Sequence, residues 1–186
     1  SILLISATVI VYQQINHIKD RDKGYDPNNL IMIPVTQDTQ KNFAAIKDEL
    51  GKSGMISTIT RTLSPITEIW WKQPAPEWTG KPANASIIFS GLTADVDFTK
   101  TTGITMLEGK DFTGMPSDSS AVLLNKAAVA AMGLKHPIGT QLKNGRTFTV
   151  TGVMDNVIME SPFKAVDPLM VYFDPGASGS RVLSAG

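Results

Sequence analysis

The sequence predicts an α+β fold, and three observations carry that expectation. Short apolar, β-branched runs recur at residues 30–35, 56–63, 86–93, 121–124 and 168–173. Helical spacing with cap signals marks residues 40–50 and 126–132. Asn144-Gly145, flanked by alternating residues, is the strongest short hairpin signal in the chain.

At the N-terminus, residues 1–16 carry no charge and are dominated by Ile2, Leu3, Leu4, Ile5, Val9, Ile10 and Val11. A full membrane span needs about 20 apolar residues and a signal peptide about 7–15. The run also lacks a basic leader and a small-x-small cleavage site. It is read as the last turns of a transmembrane helix continued by the polar residues 13–26. A buried amphipathic helix is the other reading.

Residues 30–35 form a short apolar strand in which Pro34 signals an edge or bulge. Phe43, Ile46, Lys47 and Leu50 then share one helical face, with Thr39 as cap and Gly51 or Gly54 as stop. The alternation over 56–63 gives a second strand, so the three elements predict two parallel strands joined by a crossover helix. Pro65, Pro74, Pro76, Gly80 and Pro82 then break the chain into a loop or insertion holding Trp70, Trp71 and Trp78. These indoles either contact a substrate or partner or plug the end of a small core.

A strand at 86–93 leads to Asp95 and Asp97, either of which can cap a short helix through Phe98 and Lys100 that Gly103 closes. After a strand at 104–107, Gly109, Lys110, Asp111 and Phe112 turn the chain away. The strand at 121–124 runs into Asn125, an N-cap for residues 126–132, and Gly133 ends that helix. Pro137 and Gly139 frame a turn before the hairpin, whose returning strand holds Gly152. Asp155 opens an irregular stretch to 166, residues 168–173 form the last strand, and 176–186 read as a weakly structured tail.

Several chemistries are excluded by composition and motif. Seventeen basic residues balance seventeen acidic ones and no block of five like charges occurs, which argues against a nucleic-acid partner. Without cysteine there is no thiolate catalysis, disulfide framework or thiolate metal site. His17 and His136 lack ligand spacing, so no metal and no cofactor is expected. Asp95, Asp97, Asp111, Asp118 and Asp155 stand at caps and turns, where aspartate serves backbone hydrogen bonding. A hydrolase built on Asp97, Asp111 and Asp155 is the rival reading and requires the three to meet in one concave pocket. No nucleophile elbow, phosphate-binding loop or dinucleotide fingerprint is present, so no catalytic residue is assigned.

The ordered words Lys23-Gly-Tyr-Asp26, Asn29-Leu-Ile-Met-Ile-Pro34, Val96-Asp-Phe98, Gly103-Ile104, Leu107-Glu-Gly-Lys-Asp-Phe112, Asn125-Lys-Ala-Ala128, Met132-Gly133, Pro137-Ile-Gly139, Gly152-Val153 with Asp155, and Pro168 carry a resemblance. Together they resemble the MacB-like periplasmic core domain of FtsX-type ABC transporter permeases, particularly the Bacteroidetes-like members. The likeness spans roughly residues 13–173. It departs at Asp155-Asn156-Val157, where relatives carry an aromatic-containing triplet, and at Lys110, where arginine is common.

The resemblance implies a two-lobed extracytoplasmic domain preceded by a helical stalk, on the periplasmic side of a bacterial inner membrane. It divides the chain into a membrane-helix end and stalk (1–28), a discontinuous porter-like βαβ lobe (29–63 and 145–186, the latter truncated), and an inserted α+β lobe (64–144). It implies a non-catalytic part of a permease that couples ATP-driven motion of membrane helices to substrate or partner handling. Its implied partners are a cytoplasmic ATPase subunit, a second permease subunit or half, the membrane, and a lipoprotein, peptide or small-molecule substrate. An extracytoplasmic sensor or ligand-binding domain of a membrane-anchored protein is the alternative.

Overall fold

The computed structural model describes residues 2–19, 23–159, 164–176 and 180–184. The strands β4 (Ile88–Ala94), β6 (Ala121–Asn125) and β9 (Leu169–Phe173) are almost continuously buried. That pattern belongs to strands covered on both faces. Leu92, Ala94, Ala121, Leu123, Leu169 and Val171 point to one face, with Phe98, Ile104 and Phe112 packed over them. Phe89, Val122, Leu124, Phe148, Val150, Met170 and Tyr172 point to the other, under Trp78, Ala128, Met132 and Leu142.

These strands lie in a mixed seven-stranded sheet of order β3-β4-β9-β6-β8-β5. The remaining members are β3 (Trp71–Pro74), β5 (Met106–Gly109), β7 (Gln141–Asn144), which pairs with β8, and β8 (Arg146–Met154). The pairs β4–β9 and β6–β8 are parallel. The hairpin at Asn144-Gly145 forms between β7 and β8, with Asn144 opposite Arg146.

Three further strands make a separate small sheet of order β1-β10-β2: β1 (Leu30–Pro34), β10 (Ser180–Ser184) and β2 (Thr58–Arg61). Both pairings are antiparallel, so β1 and β2 run in the same direction, as expected, but β10 separates them. The two sheets meet where the chain leaves β2. Leu63 N–H donates to Thr93 O at 3.0 Å and Asp95 N–H to Arg61 O at 2.9 Å. Arg61 Nη2 also reaches Asp95 Oδ2 at 2.7 Å, with both side chains largely buried. The same guanidinium donates to Pro175 O and lies 4.0 Å over the Phe43 ring.

Three expectations need correction. The tail read as having no closing element supplies β10, because its backbone is paired on both edges even though its sequence is short and flanked by Gly and Ser. The segment read as a loop contains β3 at a sheet edge, where Pro74 ends the strand and costs no interior pairing. The helix expected at 40–50 is broken into α2 (Gln37–Lys41) and α3 (Phe43–Lys52), and Thr36 rather than Thr39 is the cap. Thr39 instead completes the capping box as the third residue of α2. Strands β8 and β9 share the large sheet with strands drawn from 71–125.

The N-terminal helix α1 (Ile2–Lys19) has 18 residues, with Ile5, Val9, Ile10, Val11 and Tyr12 exposed. Among the described residues no helix is long and apolar enough to cross a membrane. Two short helices complete the fold: α4 (Phe98–Thr102) and α5 (Lys126–Met132).

Candidate functional site

An open cleft of about 830 Å³ lies at the ends of β4 and β9. Its floor is aromatic. Trp71 on β3 faces Gly91 on β4, and a Cβ on Gly91 would lie only 2.5 Å from Trp71 Cε2, so the indole rests where a side chain would stand. Trp71 stacks on Tyr172, with ring centroids 5.6 Å apart and planes 17° from parallel. Phe148 meets Tyr172 edge-on at 4.7 Å. Such ring pairs are worth about 0.5–1.5 kcal/mol beyond their buried area.

A polar chain stands along this floor. Gln73 Nε2–H donates to Tyr172 Oη at 2.7 Å, and Asn144 Nδ2–H donates to Gln73 Oε1 at 2.7 Å. Arg146 places its guanidinium 4.7 Å over the Phe148 ring. Gly114, Met115, Pro116 and Ser119 form the opposite wall. Buried Asp118 shapes that wall by accepting from Thr113 N–H at 2.6 Å and Gly114 N–H at 2.8 Å. Thr93 also lines the cleft, and its Oγ1 is buried with no hydrogen-bond partner.

The three tryptophans part ways. Trp70 is 55% exposed and donates from Nε1 to Glu68 Oε2 at 2.7 Å. Trp71 lines the cleft. Trp78 is buried in the apolar cluster with Phe89 and Leu142.

The aspartates serve different partners. Asp97 occupies the N-cap position of α4 in the left-handed region, at φ 60°, and makes no side-chain cap bond. Its carboxylate faces Lys47 at 3.6 Å. The capping expected of Asp95 or Asp97 falls to Asp111, whose Oδ2 accepts from both Thr99 N–H and Thr99 Oγ1–H at 2.7 Å. A carboxylate twelve residues away can cap this helix because the turn after β5 brings it there. Asp111 Oδ1 accepts from Phe112 N–H at 2.7 Å. Burial raises the Asp111 carboxyl above the ordinary range, the Thr99 and Phe112 bonds oppose that rise, and the negative charge of Asp97 adds to it. Asp155 accepts from Asn156 N–H and lines a separate groove with Gly24, Tyr25, Asp26, Gly103 and Thr105. Asp97, Asp111 and Asp155 therefore share none of the described cavities.

The other structural words fall at core and turn positions. Phe98 and Phe112 are buried in one core cluster. Gly109 pairs with Gly152 across β5 and β8. Asn125 caps α5 by accepting from Ala128 N–H, Gly133 closes it, and Gly139 N–H donates to Val150 O in the turn after buried Pro137. Among the described residues no group of three His, Cys, Asp or Glu side chains could hold a metal ion. The sequence reading missed Gln73, Arg146 and Tyr172 as cleft residues and took Asn144 for a turn residue alone. The only signal was period-2 spacing, which puts Trp71 with Gln73 and Met170 with Tyr172 on one face.

The domain is thus a mixed sheet with an open aromatic cleft, in which Asp111, Asp118 and Asp155 hold backbone groups while Asp95 and Asp97 face Arg61 and Lys47. The chain belongs to the MacB-like periplasmic core domain family, whose profile matches residues 1–183. A search of curated proteins finds no match. Among solved structures, the periplasmic region of MacB from Actinobacillus actinomycetemcomitans superposes with a TM-score of 0.53 at 14% identity, over 91% of this chain and 80% of that one. A permease-protein domain from Porphyromonas gingivalis gives 0.50 at 13% identity, over 74% and 66%. The extracellular domain of the ABC-type transporter YknZ from Gram-positive bacteria gives 0.47 at 13%, over 83% and 81%. The first two share the α+β architecture. The family comprises periplasmic domains of inner-membrane ABC transporter permeases, generally non-catalytic, and membership implies a transport system with an ATPase partner.

Proposed function

We propose that this domain relays ATP-driven motion of the membrane helices to a substrate or partner in the periplasm. Hydrolysis occurs in the separate nucleotide-binding subunit, and the domain acts beside a second permease subunit or half. The cargo is a lipoprotein, peptide or small molecule, met through the segment holding Trp70 and Trp71. Coupling of this kind needs a stiff connection between lever and moving body.

The observation that carries the reading is the junction after α1. Lys23 O accepts from Ile158 N–H at 3.0 Å, and Asp26 N–H donates to Thr102 O at 3.0 Å. The chain entering the domain is thus fastened to the segment after β8 and to the last turn of α4. Helix α4 in turn packs on β2 and β10, so a pull at the junction reaches both sheets. Gly24 sits so close to this seat that a Cβ would lie 1.8 Å from Asn156 O, at φ 77°. Even one methyl group must unseat the junction.

The test is Gly24→Ala in the complete permease with its ATPase subunit, with spin labels on the two periplasmic domains. The expected result is retained ATP hydrolysis with the nucleotide-driven change in interlabel distance lost. A full distance change in a variant whose junction is shown to be displaced would remove the mechanical reading.

A further inference from the structure

We propose that the cleft beneath Trp71 binds an amphipathic organic anion, its flat apolar body on the Trp71–Tyr172 floor and its carboxylate or phosphate on Arg146. The volume, about 830 Å³, is that of a small-molecule site. Three ring systems supply the apolar floor. The charge selection follows from which polar groups are already engaged. Asp95 gives its Oδ2 to Arg61 at 2.7 Å, and Asp174 gives its Oδ1 to Gly176 N–H at 2.9 Å. Gln73 is held between Asn144 and Tyr172. It is therefore part of a preset wall and offers little to a ligand with many hydroxyl groups.

Arg146 is different. Among the described residues its guanidinium has no carboxylate within ion-pair distance, and it is held over Phe148 at the cleft edge. A planar fork of donors fixed over an aromatic face suits a carboxylate or phosphate. Thr93 Oγ1 adds a buried hydroxyl without a partner on the same lining.

This assignment rests on the cleft being a contact surface, and it does not depend on ATP-driven coupling. It is tested with the 186-residue chain in buffer, without nucleotide or membrane. The probes are the aromatic anion 1-anilinonaphthalene-8-sulfonate and its uncharged analogue N-phenyl-1-naphthylamine, followed by fluorescence. Arg146→Gln, an exposed substitution, is expected to weaken the anionic dye by about tenfold and leave the neutral dye unchanged. Trp71→Leu is expected to weaken both. Unchanged affinity of the Arg146→Gln variant for the anionic dye overturns the proposal.

Competition then separates the sources of the anion. Displacement by octanoate indicates a carboxylate ligand, and displacement by octyl phosphate a phosphate one. Equal displacement by octyl glucoside overturns the selection for charge. None of these outcomes alters the spin-label result, so failure here is distinguishable from failure of the coupling mechanism.

Discussion

Replacing Asn125 with alanine removes three hydrogen bonds at a position with no solvent exposure. Asn125 Oδ1 accepts from Ala128 N–H at 2.8 Å and from Leu169 N–H at 2.9 Å, while Nδ2–H donates to Asp167 O at 2.9 Å. Loss of the helix cap costs about 1 kcal/mol. Leaving the buried Leu169 N–H without an acceptor costs about 1–3 kcal/mol more. The Asp167 carbonyl belongs to a half-buried residue and adds less. The sum, about 2–4 kcal/mol, is a large share of the roughly 5–15 kcal/mol that holds a typical domain folded. Urea unfolding followed by near-ultraviolet circular dichroism measures it. Asn125→Ser should fall between wild type and alanine, because the shorter side chain restores the cap but not the strand contact. The exposed Asn84→Ala should stay within about 0.5 kcal/mol of wild type. An Asn125→Ala loss below about 1 kcal/mol would refute the claim that this side chain joins β6, α5 and β9.

Gly91→Ala places a methyl group 2.5 Å from the Trp71 ring, so the indole must leave its seat. The expected cost is about 1–3 kcal/mol, with a red shift in tryptophan emission, and a double-mutant cycle with Trp71→Leu should show that most of this cost disappears. Asp111→Asn tests the buried carboxyl at the start of α4. Because burial raises its pKa in the folded state, the contribution is fully present below the ordinary aspartate range and is lost as pH rises through the raised value. The stability of wild type relative to Asp111→Asn should therefore fall as pH increases across that window. Urea midpoints recorded from about pH 3 to about pH 7 check it, and a flat difference would contradict the assigned burial.

Legibility of the fold tracked how local its causes were. Asn125 with Gly133 and the Asn144-Gly145 hairpin were readable because cap and turn chemistry is decided within a few residues. The apolar strands of the large sheet were readable because both of their faces are buried. By contrast, β10 is specified by two strands distant in sequence and by little within its own five residues. The cap of α4 was misplaced for a similar reason. Asp97 has the right residue type at the right position, but its left-handed backbone leaves no side-chain cap bond, and Asp111 takes the role. The cleft was least legible, since β3, β7, β8 and β9 each contribute only one or two of its side chains. No linear spacing records that assembly, and Trp71 alone of its floor stood out in the sequence.

Buried side-chain bonds tie the loops and helices of the large sheet to its strands. Asp111 ties the turn after β5 to α4, Asp118 closes the loop before β6, and Asn125 locks β6 to α5 and β9. Each is buried or partly buried, so its rupture exposes or orphans a backbone group that water reaches poorly. Breaking such a bond costs about 1–3 kcal/mol for each buried group left unpaired. The middle strand of the small sheet comes from residues 180–184, and its described links to the large sheet include the β2–β4 backbone pairing, the Arg61 guanidinium, and Leu30 of β1 packed against the core that holds Phe98 of α4. Arg61 holds Asp95 and Pro175, two residues of the cleft lining, while stacking on Phe43 of α3. Arg61 thus joins the small sheet and α3 to the cleft edge, while Trp71, Phe148 and Tyr172 of the aromatic floor all stand on the large sheet.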